Sequence, residues 1–172
     1  MNAPTAIEIV TRNAEQTQRL GRQIGERLAG GEIIRLTGDL GSGKTCFVQG
    51  LAQGLGVPDD YDITSPTYAI VHEYPGRLAL VHVDLYRLAD ETDAESIGLE
   101  DYFRSKTVVA VEWADRFAEV FWPPQSLMLD FQTLTDEARC IRLFGYGLQN
   151  INLINEVVAQ WDGGQERKPS AR

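Results

Sequence analysis

Lysine is scarce in this acidic sequence. Only Lys44, Lys106 and Lys168 occur among the 172 residues, and 25 Asp and Glu against 16 Lys and Arg give a formal net charge of −9. A free-standing nucleic-acid binder usually carries the opposite charge, because its basic side chains neutralise phosphates. Direct, unaided binding of RNA is therefore disfavoured.

Features of membrane-spanning and secreted proteins are also missing. No apolar run approaches the roughly 18 to 20 residues that cross a bilayer. The start, Met1 to Thr5, has neither the basic stretch nor the apolar stretch of a secretory signal. Cys46 and Cys140 stand far apart with no CxxC pair, which favours free thiols over disulfides or a zinc site. We therefore expect a soluble, cytoplasmic protein that does not bind membranes.

What the chain does have is the size and apolar content of one folded domain. Hydrophobic residues make up 43% of the sequence, and a prior of about 150 residues per domain gives one domain. Strand-like runs alternate with helical patterns, which favours an α/β fold with a central, mostly parallel sheet flanked by helices. The runs at 67–74 and 77–83, joined by Pro75-Gly76, predict a β-hairpin. The other strand-like runs lie at 6–10, 32–37, 107–112, 126–131 and 138–144.

Two regions stand apart from this pattern. Residues 149–172 are predicted to form a C-terminal helix and a loose polar tail, which leaves residues 1–148 as the main domain. The segment 84–101 holds seven carboxylates against one arginine, Arg87. A solvated face is the favoured interpretation of that segment, and a partner surface is the alternative.

A glycine-rich loop carries the strongest functional signal. Residues 38–45, GDLGSGKT, match the phosphate-binding motif G-x-x-x-x-G-K-[ST] at every fixed position. A strand-like run precedes the loop and an amphipathic helix follows it. The glycines let backbone N–H groups face phosphate oxygens, the lysine supplies a cation, and the threonine hydroxyl is a ligand for Mg²⁺. The chain is thus predicted to be a single P-loop NTPase-like domain whose nucleotide contacts include Gly38, Asp39, Gly41, Ser42, Gly43, Lys44 and Thr45.

Two acidic residues follow apolar strands. Asp84 comes after residues 78–83, and Glu112 comes after residues 108–111. A carboxylate at a strand end commonly holds the Mg²⁺ of a P-loop site. One of the two could ligate the cation directly and the other through water, or Glu112 could position the attacking water. The alternative is that either carboxylate merely ends its strand.

Several other positions allow two interpretations. The segment Thr64-Ser65-Pro66-Thr67 either supplies a switch hydroxyl that senses the terminal phosphate or is a plain loop. Trp113 either stacks on a base or packs in the core, and packing is favoured from the residues alone. Cys46, at a helix start, is either a thiol of lowered pKa or simply a small residue. His72 and His82 are interpreted as structural, because no third metal ligand accompanies them.

The nucleotide is predicted to be ATP. The guanine-recognition motif N-K-x-D needs a lysine two residues before an aspartate. None of the three lysines in the sequence satisfies that spacing, so GTP is disfavoured.

Four sequence blocks together resemble the TsaE (YjeE) family of bacterial P-loop ATPases. They are GDLGSGKT at 38–45, SPTY at 65–68, HVDLYRL at 82–88 and VEW at 111–113. The GDLGxGKT form followed by HxDLYRL is far more specific than a P-loop alone. The likeness covers residues 6 to 145.

This resemblance implies a role in tRNA modification, the synthesis of N6-threonylcarbamoyladenosine beside the anticodon. It implies an Mg²⁺-dependent ATPase, weak alone, that works with TsaD-like and TsaB-like subunits and reaches tRNA only through them. Carried over by position, residues 41–46, including Cys46, would hold phosphates, and Trp113 would lie at the nucleotide. The resemblance places Thr45 and Glu112 at Mg²⁺ and Asp84 at the position of the family's Walker-B-like acid. Together with the residue patterns, this predicts a metal site of Thr45, Asp84 and Glu112 and a catalytic set of Lys44, Asp84 and Glu112. Thr67 is among the predicted nucleotide contacts.

Two other functions remain open from the sequence. A small-molecule kinase would use the same loop, but such kinases usually close an arginine-bearing lid over the phosphates, and no arginine-rich loop stands out. A nucleotide-dependent adaptor would bind ATP and hydrolyse it negligibly.

Overall fold

A seven-stranded sheet organises the part of the chain that the computed structural model describes, residues 6–103 and 106–162. Its strands are β1 (Ala6–Thr11), β2 (Ile33–Gly38), β3 (Val71–Tyr74), β4 (Leu80–Asp84), β5 (Val108–Glu112), β6 (Ser126–Thr133) and β7 (Arg139–Tyr146). They lie in the order β1-β7-β6-β2-β5-β4-β3. The four strands from β6 to β4 run parallel, and the outer pairings are antiparallel. The predicted α/β fold with a mostly parallel centre is confirmed.

Helices cover both faces of this sheet. Alternate residues of each strand point to opposite faces, so Leu80 joins one apolar core and Val81 joins the other. None of the helices in the described ranges is long and apolar enough to cross a membrane. The helices are α1 (Ala14–Gly25), α2 (Lys44–Gly54), α3 (Glu91–Ser96), α4 (Leu99–Phe103) and α5 (Leu148–Gln160).

The predicted hairpin is formed by β3 and β4, which pair from Val71 opposite Val83 to Tyr74 opposite Leu80. The first strand is shorter than its sequence run, because residues 67–70 form a turn instead. In that turn the amide of Ile70 donates to the carbonyl of Pro66. The turn keeps residues 65–67 beside the end of β4.

Helices α1 and α2 approach each other backbone to backbone. A Cβ on Gly50 would overlap the carbonyl oxygen of Gln18, and one on Gly21 would overlap that of Phe47. Glycines recur at the same four-residue spacing on both helices, so they share one face of each. This contact fixes α2 over the sheet, and with it the end of α2 that follows the phosphate loop. The glycines of this contact are Gly21 and Gly25 on α1 and Gly50 and Gly54 on α2.

The acidic segment contains two short helices, α3 and α4, that the sequence analysis does not identify. The Asp90 side chain caps α3 by accepting from the amides of Thr92 and Asp93. Helices of 6 and 5 residues are too short to show an apolar period, which is why the pattern misses them.

The last described helix, α5, packs on the same core as α1 and α2. Leu153, Ile154 and Val157 are buried there. The division of the chain at residue 148 stays a prediction. The predicted polar tail from Gly163 onward lies outside the described residues.

Candidate nucleotide site

The phosphate loop links the end of β2 to the start of α2. Its three glycines, Gly38, Gly41 and Gly43, have φ values of 127°, 75° and 106°. Residues other than glycine rarely adopt such positive φ values. Helix α2 begins at Lys44, directly after Gly43. The first amide groups of a helix have no acceptor within it, so this end of α2 offers free N–H donors and a positive dipole to an anion.

Lys44 is folded back onto the loop. Its Nζ donates to the carbonyls of Gly38 at 2.6 Å and Asp39 at 2.8 Å, and lies 3.9 Å from the centre of the Trp113 ring. Burial lowers the pKa of Lys44, although the charges of Glu112 and three aspartates oppose that shift. The lysine is thus a largely dehydrated cation whose hydrogen-bond acceptors are neutral carbonyls. The three aspartates are Asp115, Asp84 and Asp39.

The two predicted strand-end carboxylates lie side by side. Strands β4 and β5 are parallel neighbours, and Asp84 stands opposite Glu112 in their register. Thr45, one residue inside α2, donates from Oγ1 to Glu112 Oε1 at 2.8 Å. His82, which is fully buried, places Nε2 at 2.9 Å from the same Oε1.

Asp84 is held by the loop that precedes the hairpin. Ser65 Oγ and Thr67 Oγ1 both donate to Asp84 Oδ2, the second at 3.0 Å, and the amide of Tyr86 donates to Oδ1 at 2.8 Å. The structure therefore brings Thr67 to the predicted metal site through Asp84. The Tyr86 ring also packs on Trp113, with ring centres 5.0 Å apart.

These groups surround one cavity of about 310 Å³. Gly38 and Asp39 do not line it; their contact with the site is through the carbonyls that accept from Lys44. Trp113 lies at the wall and takes a φ of 61°, which turns the chain at the end of β5. The lining residues are Leu40, Gly41, Ser42, Gly43, Lys44, Thr45, Cys46, Ser65, Thr67, Asp84, Tyr86, Glu112 and Trp113.

A second cavity, of about 540 Å³, also touches the phosphate loop. Gly41, Gly43 and Cys46 belong to both cavities, and Asn13 and Arg139 line only the second. The two cavities therefore adjoin each other at the phosphate loop and the start of α2.

Arg139 ties the phosphate loop to the turn between β6 and β7. Its Nε donates to the carbonyl of Ser42 at 3.0 Å and its Nη2 to that of Gly41 at 3.3 Å. Its Nη1 donates to carbonyls of the turn, including that of Thr135 at 2.9 Å. This role of Arg139 cannot be predicted from the sequence, because nothing in a lone arginine at a strand start indicates which loop it contacts.

The pKa of the Cys46 thiol is raised, whereas one of the two sequence-based alternatives is a lowered pKa. Burial raises its pKa, with Arg139 opposing the shift only in part. The Sγ donates to the carbonyl of Ala14 at 3.3 Å. The interpretation of Cys46 as a thiol of lowered pKa is therefore wrong, because the loss of hydration on burial outweighs the charge of Arg139.

Comparison with known proteins identifies the group to which this fold and site belong. The family model described as threonylcarbamoyl adenosine biosynthesis protein TsaE matches residues 11–141. The chain belongs to the TsaE family. The resemblance seen in the sequence is thus confirmed, and the TsaE family takes part in tRNA threonylcarbamoyladenosine biosynthesis.

Individual TsaE proteins match most of the chain. The tRNA threonylcarbamoyladenosine biosynthesis protein TsaE of Treponema pallidum is 40% identical over 130 residues, which are 76% of this chain and 94% of that protein. The TsaE of Bacillus subtilis is 37% identical over 138 residues, covering 80% and 84%. The crystal structure of Bacillus subtilis YdiB superposes with a TM-score of 0.78 at 29% identity, covering 92% of this chain and 98% of that one.

Proposed function

We propose that this chain binds ATP with Mg²⁺, hydrolyses it, and supports threonylcarbamoyladenosine formation on tRNA as an accessory subunit. One observation carries the chemistry: a lysine and a hydroxyl at the start of α2 meet the carboxylates that end β4 and β5 around one cavity. Membership of the TsaE family supports the connection to tRNA. The geometry supports the nucleotide and the metal.

The loop fits the phosphates of a nucleotide. The Nζ of Lys44 would exchange its two carbonyl acceptors for phosphate oxygens, a stronger, charge-assisted interaction. The amides at the start of α2 would bind the same oxygens. Ser42, the residue before Gly43, lines the same cavity. A side chain at Gly41 would face open space, which leaves this part of the loop accessible.

The oxygen groups beside the loop fit Mg²⁺. A hydroxyl that donates its proton to Glu112, as Thr45 does, has oxygen lone pairs available for a cation. In residues 6–103 and 106–162 no group of three or more His, Cys, Asp or Glu forms a metal cage. Magnesium does not need one, because it is typically held by one or two carboxylates together with substrate phosphates and waters. The protein ligands of the Mg²⁺ ion would be Thr45, Asp84 and Glu112.

Hydrolysis would need an oriented water near the terminal phosphate. Bound Mg²⁺ supplies charge neutralisation at the phosphate oxygens. Lys44 would stabilise the same charge from the other side. Glu112 would either hold the metal, directly or through water, or orient the attacking water and accept its proton, and Asp84 would take the other role. Thr67 would report the state of the site to the loop that precedes the hairpin, through its hydrogen bond to Asp84.

The negative charge of the chain favours an indirect association with tRNA, through partner subunits. An acidic chain with three lysines is poorly suited to hold tRNA directly. We therefore propose that TsaD-like and TsaB-like subunits bring the chain to tRNA, and that the complex acts in the cytoplasm, where its two free thiols stay reduced. The acidic segment 84–101 is one candidate for the contact with those subunits.

The test is phosphate release from ATP by the chain alone and with the cognate TsaD-like and TsaB-like pair, with and without Mg²⁺. Lys44→Ala is the site variant and Lys106→Ala, at an exposed lysine, is the matched control. We expect the chain alone to release phosphate slowly and the two partner subunits to increase that rate. We expect phosphate release to be lost in Lys44→Ala and kept in Lys106→Ala. Partners that change neither turnover nor nucleotide affinity would overturn the accessory role.

The same assay distinguishes the two other functions. A kinase would transfer phosphate to a small acceptor faster than to water, so a screen of acceptors would reveal a phosphorylated product. An adaptor would change its affinity for the pair with nucleotide state even when hydrolysis is abolished. Either result would replace the ATPase as the chemical role of the chain.

A further inference from the structure

His82 is a buried polar residue that the proposed chemistry does not yet use. It lies in the middle of β4 with no exposed surface, between Ala110 of β5 and His72 of β3 in the sheet register. Its Nε2 is 2.9 Å from Glu112 Oε1, and its Nδ1 is buried without a hydrogen-bond partner in the described residues. A residue needed only for packing would be apolar here, as its neighbours along β4 are.

A hydrogen bond from His82 to the Glu112 carboxylate requires a proton on one particular ring nitrogen of His82. Glu112 Oε1 already accepts a hydrogen bond from Thr45 at 2.8 Å. A carboxylate oxygen has no proton to give, so the 2.9 Å contact is a hydrogen bond only if His82 Nε2 carries the hydrogen. With the hydrogen on Nε2, the ring donates to the carboxylate, and Nδ1 stays buried without a hydrogen-bond partner in the described residues.

We propose that His82 is a positioning residue for Glu112: its Nε2–H and the Thr45 hydroxyl converge on Oε1 and hold the carboxylate in the orientation that binds Mg²⁺ with the nucleotide. This inference rests on the proposed function. The two donors come from different elements, β4 and α2, so the carboxylate is fixed from two directions. Second-layer hydrogen bonds of this kind orient metal-binding groups, and their loss commonly weakens metal affinity by about 10- to 100-fold.

The experiment measures how much Mg²⁺ tightens nucleotide binding. The dissociation constant for ADP is determined by calorimetry in EDTA and in Mg²⁺. The EDTA value divided by the Mg²⁺ value gives a ratio that is compared among variants. His82→Leu removes the donor, and His82→Gln keeps an N–H donor at nearly the same distance from the backbone. His72→Leu is the matched control, since His72 stands opposite His82 in the sheet and contacts Tyr74 instead of Glu112.

We expect the ratio to fall by about tenfold or more in His82→Leu, to recover most of its value in His82→Gln, and to stay unchanged in His72→Leu. A ratio in a folded His82→Leu protein equal to that of the wild type would overturn the inference. If the wild type itself binds ADP but shows no effect of Mg²⁺, the metal part of the proposed function fails first. If the wild type binds no ADP, the nucleotide site fails as well.

A second measurement does not depend on the variants folding. The ¹⁵N resonances of the His82 ring in the wild-type protein show directly which nitrogen is protonated. We expect a proton on Nε2. A neutral ring protonated only at Nδ1 would leave Nε2 facing a carboxylate oxygen without a hydrogen, and the positioning role would be wrong.

Discussion

Thr45 and Glu112, which are 67 residues apart in the chain, meet through a hydrogen bond of 2.8 Å from Oγ1 to Oε1. This bond joins the helix that follows the phosphate loop to the end of β5. It commits the threonine proton to the carboxylate and leaves the hydroxyl lone pairs for another ligand. Under the proposed function, this carboxylate and this hydroxyl would both belong to the groups of the chain that hold Mg²⁺.

The first prediction concerns the two strand-end carboxylates. Asp84→Asn and Glu112→Gln keep size and most hydrogen-bonding capacity but remove the negative charge that a metal or an attacking water requires. We expect each variant to lower Mg²⁺-dependent hydrolysis by about a hundredfold, the usual range for a lost acid–base group. The change in thermal stability is expected to be small by comparison.

Phosphate release and melting temperature, measured on the same preparations, check this. Asp60→Asn, an exposed carboxylate in the loop after α2, is the control for loss of charge alone. Full turnover in either variant would remove that residue from the catalytic set.

The second prediction concerns Lys44. Lys44→Ala removes the cation that would contact the outer phosphates, and charge-assisted hydrogen bonds contribute about 1.5 to 3 kcal/mol each. We expect affinity for ATP to fall by at least about tenfold, with the fold intact. Titration calorimetry and circular dichroism check this against Lys106→Ala. Unchanged affinity for ATP would mean that the loop does not hold phosphates.

The sequence predicts those site residues whose positions follow from local patterns, namely the phosphate-loop motif and the ends of apolar strands. The loop motif positions Lys44 and Thr45 at a helix start wherever it occurs. Asp84 and Glu112 each end an apolar strand, and parallel strands present their carboxyl ends at one edge of a sheet. Their convergence therefore follows from local pattern and from the α/β fold, and the structure places them in adjacent positions of the register.

The part that escapes prediction depends on which strands and loops become neighbours. His82 is interpreted from the sequence as structural, because no third metal ligand accompanies it. Its contact with Glu112 exists only because β4 lies next to β5. Arg139 contacts the phosphate loop only because the β6–β7 turn lies beside it. The close contact of α1 and α2 is likewise invisible in either helix alone, because glycine is usually unfavourable inside a helix and its spacing gains meaning only when both helices are paired.

The third prediction tests that helix contact. In an exposed helix, replacing glycine with alanine stabilises by about 1 kcal/mol. At Gly50 the added methyl group would overlap the carbonyl oxygen of Gln18, so α1 and α2 must separate. We expect Gly50→Ala to destabilise the protein by about 1 to 3 kcal/mol, the usual effect of overpacking.

Urea unfolding of Gly50→Ala and of Gln53→Ala, an exposed position of the same helix, measures this. The control is expected to lie within about 0.5 kcal/mol of the wild type, as surface substitutions usually do. An alanine at Gly50 that stabilises the protein would show that the helices are not held in backbone contact.

The last prediction follows from the lowered pKa of Lys44. Burial disfavours the charged ammonium in the free protein, so its pKa lies below the ordinary 10.5. Phosphate oxygens bind the protonated form and raise the pKa in the complex. Between these two values the complex carries one more proton than the free protein, so nucleotide binding takes up a proton and weakens as pH rises.

We expect the affinity for ADP to start falling at a pH below 10.5, the ordinary pKa of lysine. Calorimetry at a series of pH values below 10.5, each in two buffers of different ionisation enthalpy, measures the proton uptake. Lys44→Arg keeps the charge at all accessible pH values, so its binding is expected to take up no proton from this site. Equal uptake in the wild type and in Lys44→Arg would assign the proton to another group and contradict the coupling of Lys44 to phosphate.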